Sequence, residues 1–241
     1  MTNALITGAN KGIGFETARQ LGAQGISIIV GARSAERGEK AAAELAAEGI
    51  DARFVRLDVT DEASIQDAAA QITSLDILIN NAGIAPVEAS VAPSALSLAA
   101  LRRTYDTNVF GVVAVTNTML PLLRRSPAGR IVNLSSELGS LAILADPDSP
   151  FFPFNLLAYN SSKTALNGVT LAYAKELADT PIKVNAANPG YCATDLNAHT
   201  GPRSAAQGAA EVVRLATLPA DGPTGTFSGV YEERAATVLP W

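Results

Sequence analysis

The sequence predicts a doubly wound α/β fold, with a seven-stranded parallel sheet flanked by helices on both faces. Three observations carry this reading. Short β-branched runs alternate with alanine-rich stretches, as in successive β-α-β units. The runs are apolar nearly throughout instead of alternating with polar residues, as strands covered on both faces must be. A glycine-rich turn also follows the first run and opens the first helical stretch.

Strands are expected at Ala4–Thr7, Ser27–Gly31, Ala52–Leu57, Ile77–Asn80, Arg130–Ser135, Lys183–Ala187 and Phe227–Tyr231. Helical stretches lie between them at Gly12–Ala23, Ala35–Glu48, Glu62–Ile72, Leu98–Leu123 (one helix or two), Tyr159–Ala178 and Ser204–Leu215. No Pro/Ser-rich linker or internal repeat interrupts the 241 residues, so one domain spanning 1–241 is expected.

A composition of 48% hydrophobic residues with 17% charged residues supplies a large core. The net charge of −5 is scattered, with no basic stripe for a nucleic acid or an anionic membrane. One cysteine, Cys192, forms no internal disulfide, and one histidine, His199, builds no ordinary metal cluster, so no metal is expected. The longest uncharged stretch, Thr107 to Leu123, carries Asn108, Thr116, Asn117, Thr118 and Pro121 and reads as no membrane span. No charged leader precedes the run Ala4-Leu5-Ile6, and the mature chain is expected to begin at or near Met1, in the cytoplasm.

The turn after the first strand reads Thr7-Gly8-Ala9-Asn10-Lys11-Gly12-Ile13-Gly14. Gly8 and Gly12 permit tight backbone and close approach of a phosphate, Gly14 lets helix and strand pack, and the helix N-terminus offers free N–H groups. The second strand ends Val30-Gly31-Ala32-Arg33-Ser34, with no carboxylate to accept a ribose 2′-hydroxyl. Arg33, with Lys11 on the same side, instead suits a 2′-phosphate, so NADP(H) is expected over NAD(H). Tyr159 and Lys163 share one helix face, where an ammonium beside a phenol favours the phenolate. Ser136, ending a neighbouring strand, can donate to the same substrate oxygen.

Together these residues resemble the short-chain dehydrogenase/reductase family, in its compact single-domain form with a Rossmann fold. The ordered elements are Thr7–Gly14, Asp58-Val59, Asn80-Asn81-Ala82-Gly83, Asn108, Ser135-Ser136, Tyr159-Asn160-Ser161-Ser162-Lys163, and Pro189-Gly190 followed by Thr194. The resemblance implies that Tyr159 is the acid/base and that Ser136 orients the carbonyl, with Ser135 as its fallback. It implies that Lys163 also holds the nicotinamide ribose and that Asn108 fixes a relay water. Asp58 would meet adenine, with Val59 beside it. Asn81, Ala82 and Gly83 would steady the sheet beside adenosine, and Pro189, Gly190 and Thr194 would contact the nicotinamide and pyrophosphate. Asp58 could equally cap the helix that follows, although Thr60 and Asp61 are better placed for that.

Ser136 and Tyr159 lie farther apart than in compact members of the family. The surplus maps to Leu144–Asn155, which holds three of the seven phenylalanines and three of the thirteen prolines. Prolines exclude a long helix there. Phe151, Phe152 or Phe154 would line a pocket for a hydrophobic substrate, or pack on the protein's own surface or a subunit contact. The insertion, with Asn10–Gly14 and Gly201-Pro202-Arg203, points to the carbonyl-reductase branch. A loop over 191–207, including Tyr191, would close on the substrate. His199 in that loop reads as an exposed histidine, and no partner marks Cys192 as a nucleophile.

The expected reaction is reduction of a ketone or aldehyde with NADPH. Oxidation of a secondary alcohol at the same site is its rival, and a non-catalytic NADP(H)-sensing protein is the rival of another class. The latter is disfavoured by the presence of Ser, Tyr and Lys together. A nucleotide-sugar epimerase is disfavoured because no substantial C-terminal region remains for a sugar-nucleotide lobe. The expected partner is a small carbonyl or alcohol compound, with monomer, dimer and tetramer all open.

Overall fold

The computed structural model describes residues 2–231 and 234–241. Met1, where the mature chain is expected to begin, lies outside the described residues. The elements run β1 (Asn3–Thr7), α1 (Gly12–Gly22), β2 (Ser27–Ala32), α2 (Ala35–Ala47), β3 (Ala52–Arg56), α3 (Glu62–Ala70), β4 (Ile77–Asn80), α4 (Leu98–Tyr105) and α5 (Gly111–Leu123). They continue with β5 (Arg130–Leu134), α6 (Leu141–Ala145), α7 (Leu157–Glu176), β6 (Lys183–Asn188), α8 (Ala205–Ala216), β7 (Phe227–Tyr231) and β8 (Arg234–Val238).

The strands form one sheet in the order β3-β2-β1-β4-β5-β6-β7-β8. β1 pairs in parallel with β2 on one side and β4 on the other, so the winding reverses beside β1. That reversal leaves a crevice above the C-terminal strand ends, where such sheets bind ligands. The seven expected strands are all parallel. An eighth, β8, adds antiparallel to β7 at the edge and was not anticipated, because Arg-Ala-Ala-Thr-Val carries little strand signal.

Successive β1 residues face opposite layers, as a pleated strand requires. Ala4 and Ile6 join Leu21, Ile28, Val30, Ile79 and Val212 in the core beneath α1, α2 and α8. Leu5 joins Ile29, Leu78, Ile131, Val115, Met119 and Tyr173 beneath α3, α5 and α7. The expected stretch Leu98–Leu123 divides into α4 and α5, joined by a π-turn at Asp106–Phe110 that buries Asn108. Among the described residues, no helix is long and apolar enough to cross a membrane.

Candidate active site

The turn between β1 and α1 sits at the winding reversal. Gly8 has φ +67°, and a Cβ there would lie 3.1 Å from the Ala82 Cα. A Cβ on Gly14 would lie 2.4 Å from Asn81 Nδ2 and 2.9 Å from the Gly8 carbonyl oxygen, so the helix start admits no side chain at this position. Lys11 occupies the N-cap of α1 without capping it, and the first turn carries no acidic residue. Its free amides and positive dipole therefore fit an anion such as a pyrophosphate.

The turn is clamped from β4. Thr7 Oγ1 accepts hydrogen bonds from the Asn81 and Ala82 amides, both at 3.0 Å. Asn81 Nδ2 donates back to the Thr7 and Gly8 carbonyls at 2.8 and 3.3 Å. The Ala9 amide reaches the Gly31 carbonyl at 3.1 Å, joining the turn to the end of β2. Arg33 stands exposed just beyond β2, and Ser34 caps α2. Asp58 accepts from the Thr60 amide and hydroxyl, whereas Asp61 caps α3, which leaves the cap alternative for Asp58 without support.

Lys11 does not stand free as a phosphate partner. It is ion-paired with Asp195, whose carboxylate also meets His199 Nε2 at 2.7 Å. Lys11 and His199 hold the Asp195 carboxyl below its usual range. Thr194 lies over Gly12, so the segment after β6 rests on the glycine-rich turn.

Ser136, Tyr159 and Lys163 converge between the ends of β5 and α7. Ser135 turns away to donate to Asn167 Oδ1 at 2.6 Å. Ser136 begins the turn Glu137–Gly139, where its Oγ accepts from the Leu138 amide at 3.2 Å beside the Tyr159 side chain. Lys163 is buried, with Nζ donating to the Leu134 carbonyl at 2.6 Å and 5.6 Å from the centre of the Tyr159 ring. Burial pushes its ammonium down to about 8. Burial, and next the Glu137 carboxyl, push the Tyr159 phenol above its usual range and outweigh the Ser136 hydrogen bond. The expected bias toward phenolate does not appear in this environment, because desolvation, with the Glu137 carboxyl, outweighs what favours the charged form.

Asn108 is held by Ile84. Its Oδ1 accepts from the Ile84 amide at 2.8 Å, while Nδ2 donates to the Ile84 carbonyl at 2.9 Å and to Ser162 Oγ at 3.0 Å. Below the site, Asn80 Nδ2 donates to Asn133 Oδ1 and Asn133 Nδ2 to Thr170 Oγ1, at 2.8 and 2.9 Å, which pins β4 to β5 and β5 to α7.

The 144–155 insertion folds back onto the C-terminal strands. Phe151 packs with the Ile143, Phe227 and Leu239 cluster and lies 5.9 Å from the Tyr231 ring. Phe152 and Phe154 stay half-exposed, and the Phe154 carbonyl accepts from Asn160, the residue after Tyr159. Within 191–207, a parallel bridge joins Cys192 to Arg203, and the Tyr191 hydroxyl meets Thr200 Oγ1 at 2.5 Å. The Pro189 carbonyl accepts from Cys192 Sγ and Arg203 Nε, and Gly190 has φ +73°. Burial pushes the Cys192 thiol up.

Sequence reasoning passed over Glu137. It is 5% exposed, its carboxyl is pushed up by burial, and its Oε2 has no hydrogen-bond partner among the described residues. The available signal was a charged residue directly after the strand-end serine pair.

A family model described as short chain dehydrogenase matches residues 2–205. A short-chain dehydrogenase of Penicillium roqueforti is 41% identical, over 88% of this chain and 87% of its own length. The structure of salutaridine reductase from Papaver somniferum matches with a TM-score of 0.82 at 31% identity, over 94% of this chain and 99% of that one. An NADPH-bound carbonyl reductase from chicken fatty liver gives 0.84 at 26% identity, over 100% and 99% of the two chains.

Proposed function

The chain belongs to the short-chain dehydrogenase/reductase family, and from that premise we propose that it is an NADP(H)-dependent carbonyl reductase in which Tyr159 delivers the proton. Membership makes it an oxidoreductase of carbonyl and alcohol groups. The observation that carries the finer reading is the placement of Lys163 Nζ 5.6 Å from the centre of the Tyr159 ring, with Ser136 at the end of the neighbouring strand. The same hydroxyl can pass a proton to a carbonyl oxygen or take one back from an alcohol, and reduction is the direction proposed here.

When bound, the dinucleotide supplies the hydride. Its pyrophosphate would lie on Gly8, Asn10, Gly12, Ile13 and Gly14 at the start of α1, with Arg33 facing the 2′-phosphate. Asp58, Val59, Asn81, Ala82 and Gly83 would line the adenosine side, and Pro189, Gly190 and Thr194 the nicotinamide side. Ser136 donates a hydrogen bond to the substrate carbonyl oxygen and stabilises the negative charge that develops there. Tyr159 transfers its proton to that oxygen. Lys163 reprotonates the tyrosine side through its ammonium, and Asn108 holds the relay water.

On this reading residues 1–241 form one dinucleotide-binding unit in the cytoplasm. Phe152, Phe154 and Tyr191 flank the entrance, where a hydrophobic carbonyl compound would dock.

The test is NADPH oxidation with a panel of ketones and aldehydes. Tyr159→Phe should lower kcat/KM by about a hundred- to ten-thousandfold while NADPH still binds. Equal rates in the two proteins refute proton transfer by Tyr159.

A further inference from the structure

Tyr159, the proposed proton donor, is the third residue of α7, and the N-cap Leu156 offers its first turn no side-chain acceptor. The amides of such a turn lack partners within the helix, and uncapped ends fray. The Asn160 side chain reaches back across this helix start. Asn160, 8% exposed, donates from Nδ2 to the Phe154 carbonyl at 2.8 Å, while its own amide donates to the Leu156 carbonyl at 2.8 Å. A carbonyl only accepts, so the bond fixes which end of the Asn160 amide faces the insertion. The insertion is itself seated. The Phe154 and Phe152 amides close turns onto the Phe151 and Ser149 carbonyls at 3.0 and 3.1 Å, and the Phe151 ring lies 5.9 Å from that of Tyr231 and 6.2 Å from that of Phe154. Phe151 also packs on buried Ile143, Phe227 and Leu239, so a chain of contacts runs from β7 through the insertion to the residue after Tyr159.

We propose that Asn160 is a positioning residue: it bolts the first turn of α7 to the 144–155 insertion, and Phe151 anchors that insertion on β7, so that together they hold the Tyr159 phenol where the proton is delivered. The insertion acts as a brace for the acid, in place of a side-chain cap on the helix. Lys163 and Ser136 have supports of their own, the Leu134 carbonyl and the Leu138 amide, so loosening the brace moves Tyr159 relative to both. A displacement of about 1 Å is enough to slow a reaction about a hundredfold. The inference rests on the carbonyl-reductase reading above and adds the residues that set its geometry.

The experiment measures reduction of aliphatic and aryl ketones with NADPH, together with amide hydrogen exchange, in wild type, Asn160→Ala, Phe151→Ala and Phe151→Leu. Asn160→Ala and Phe151→Ala should lower kcat about ten- to hundredfold, by the same factor for both kinds of ketone, with the KM for NADPH unchanged. The Asn160 and Ser161 amides should exchange faster in both variants, while exchange in β4 and β5 stays as in wild type and shows that the fold is intact. Phe151→Leu keeps an apolar anchor and should recover most of the rate. An unchanged kcat in Asn160→Ala overturns the proposal, as does a fall in kcat without faster exchange in the first turn of α7. A loss in Phe151→Ala that differs between aliphatic and aryl ketones overturns its anchoring role and assigns it to the substrate pocket. A wild type that reduces no ketone refutes the carbonyl-reductase reading, and exchange in the four proteins still decides whether Asn160 and Phe151 hold the turn.

Discussion

Lys11 and Asp195 form an ion pair that ties the turn after β1 to the segment after β6, 184 residues later in the chain. Both side chains are about half exposed, so the pair is weak and screened by salt. It nevertheless places the Asp195 carboxylate in competition with any phosphate that Lys11 could contact. Asp195→Asn should lower the KM for NADPH roughly two- to fivefold and leave that for NADH unchanged. Steady-state kinetics at low and high salt check this, and the gain should shrink as salt rises. Equal effects on both cofactors would mean that Lys11 does not face the 2′-phosphate.

Arg33 is proposed to carry the other half of the cofactor preference. It is exposed at the tip of β2, and among the described residues it makes no recorded ion pair or hydrogen bond. Its planar fork is therefore available, and no neighbouring carboxylate opposes a phosphate. Arg33→Ala should raise the KM for NADPH about ten- to hundredfold with little change for NADH. An unchanged ratio of the two constants removes Arg33 from the cofactor site.

Lys163 sets a stability prediction with a defined pH window. Burial lowers its ammonium from 10.5 to about 8, so the charged form is disfavoured in the folded protein. That shift corresponds to a cost on the order of 3 kcal/mol, against about 1 kcal/mol for the hydrogen bond to the Leu134 carbonyl. Burial wins, and Lys163→Met should melt higher than wild type at pH 7 without dinucleotide while losing turnover. Between about 8 and 10.5 the unfolded chain holds a proton that the folded one has released, so wild-type stability rises with pH. The advantage of the variant is full below about 8 and should vanish above 10.5. Thermal unfolding at pH 7 and at high pH measures both ends, and an advantage independent of pH would show that buried charge is not its source.

The central sheet and the chemistry-bearing motifs were legible because each rests on a local signal. β1, β2 and β4 are nearly unbroken apolar runs, and the Gly8–Gly14 turn and the Tyr159/Lys163 pair are fixed by spacing on a single element. What stayed hidden depends on partners far away in the chain. The engagement of Lys11 by Asp195 and the burial of Glu137 exist only once β1, β4, β5 and β6 are assembled in one sheet. The insertion was visible as a surplus of Phe and Pro, yet the packing of Phe151 against Tyr231 follows from the position of β7 next to the edge strand. The direction of the Tyr159 shift was missed for a related reason. Sequence spacing places the lysine near the phenol but says nothing of the desolvation that each meets.

Thr7 is the residue on which the cofactor turn hangs. Its hydroxyl accepts from the Asn81 and Ala82 amides and donates to the Ile79 carbonyl at 3.4 Å, all within the buried seam between β1 and β4. Thr7→Val keeps the shape but leaves both amides without an acceptor, and each buried orphan costs about 1–3 kcal/mol. The loss should be about 2–4 kcal/mol, the lower part of that summed range, because a shifted backbone can recover some bonding. Thr7→Ser retains the oxygen and should cost less than about 1 kcal/mol, mainly for the lost methyl group. Chemical denaturation of the three proteins gives both numbers. Asn81 also holds the Thr7 and Gly8 carbonyls, so the valine variant should raise the KM for NADPH as well. Matched stabilities for Val and Ser would show that the two amides find other acceptors and that the clamp does not fix the turn.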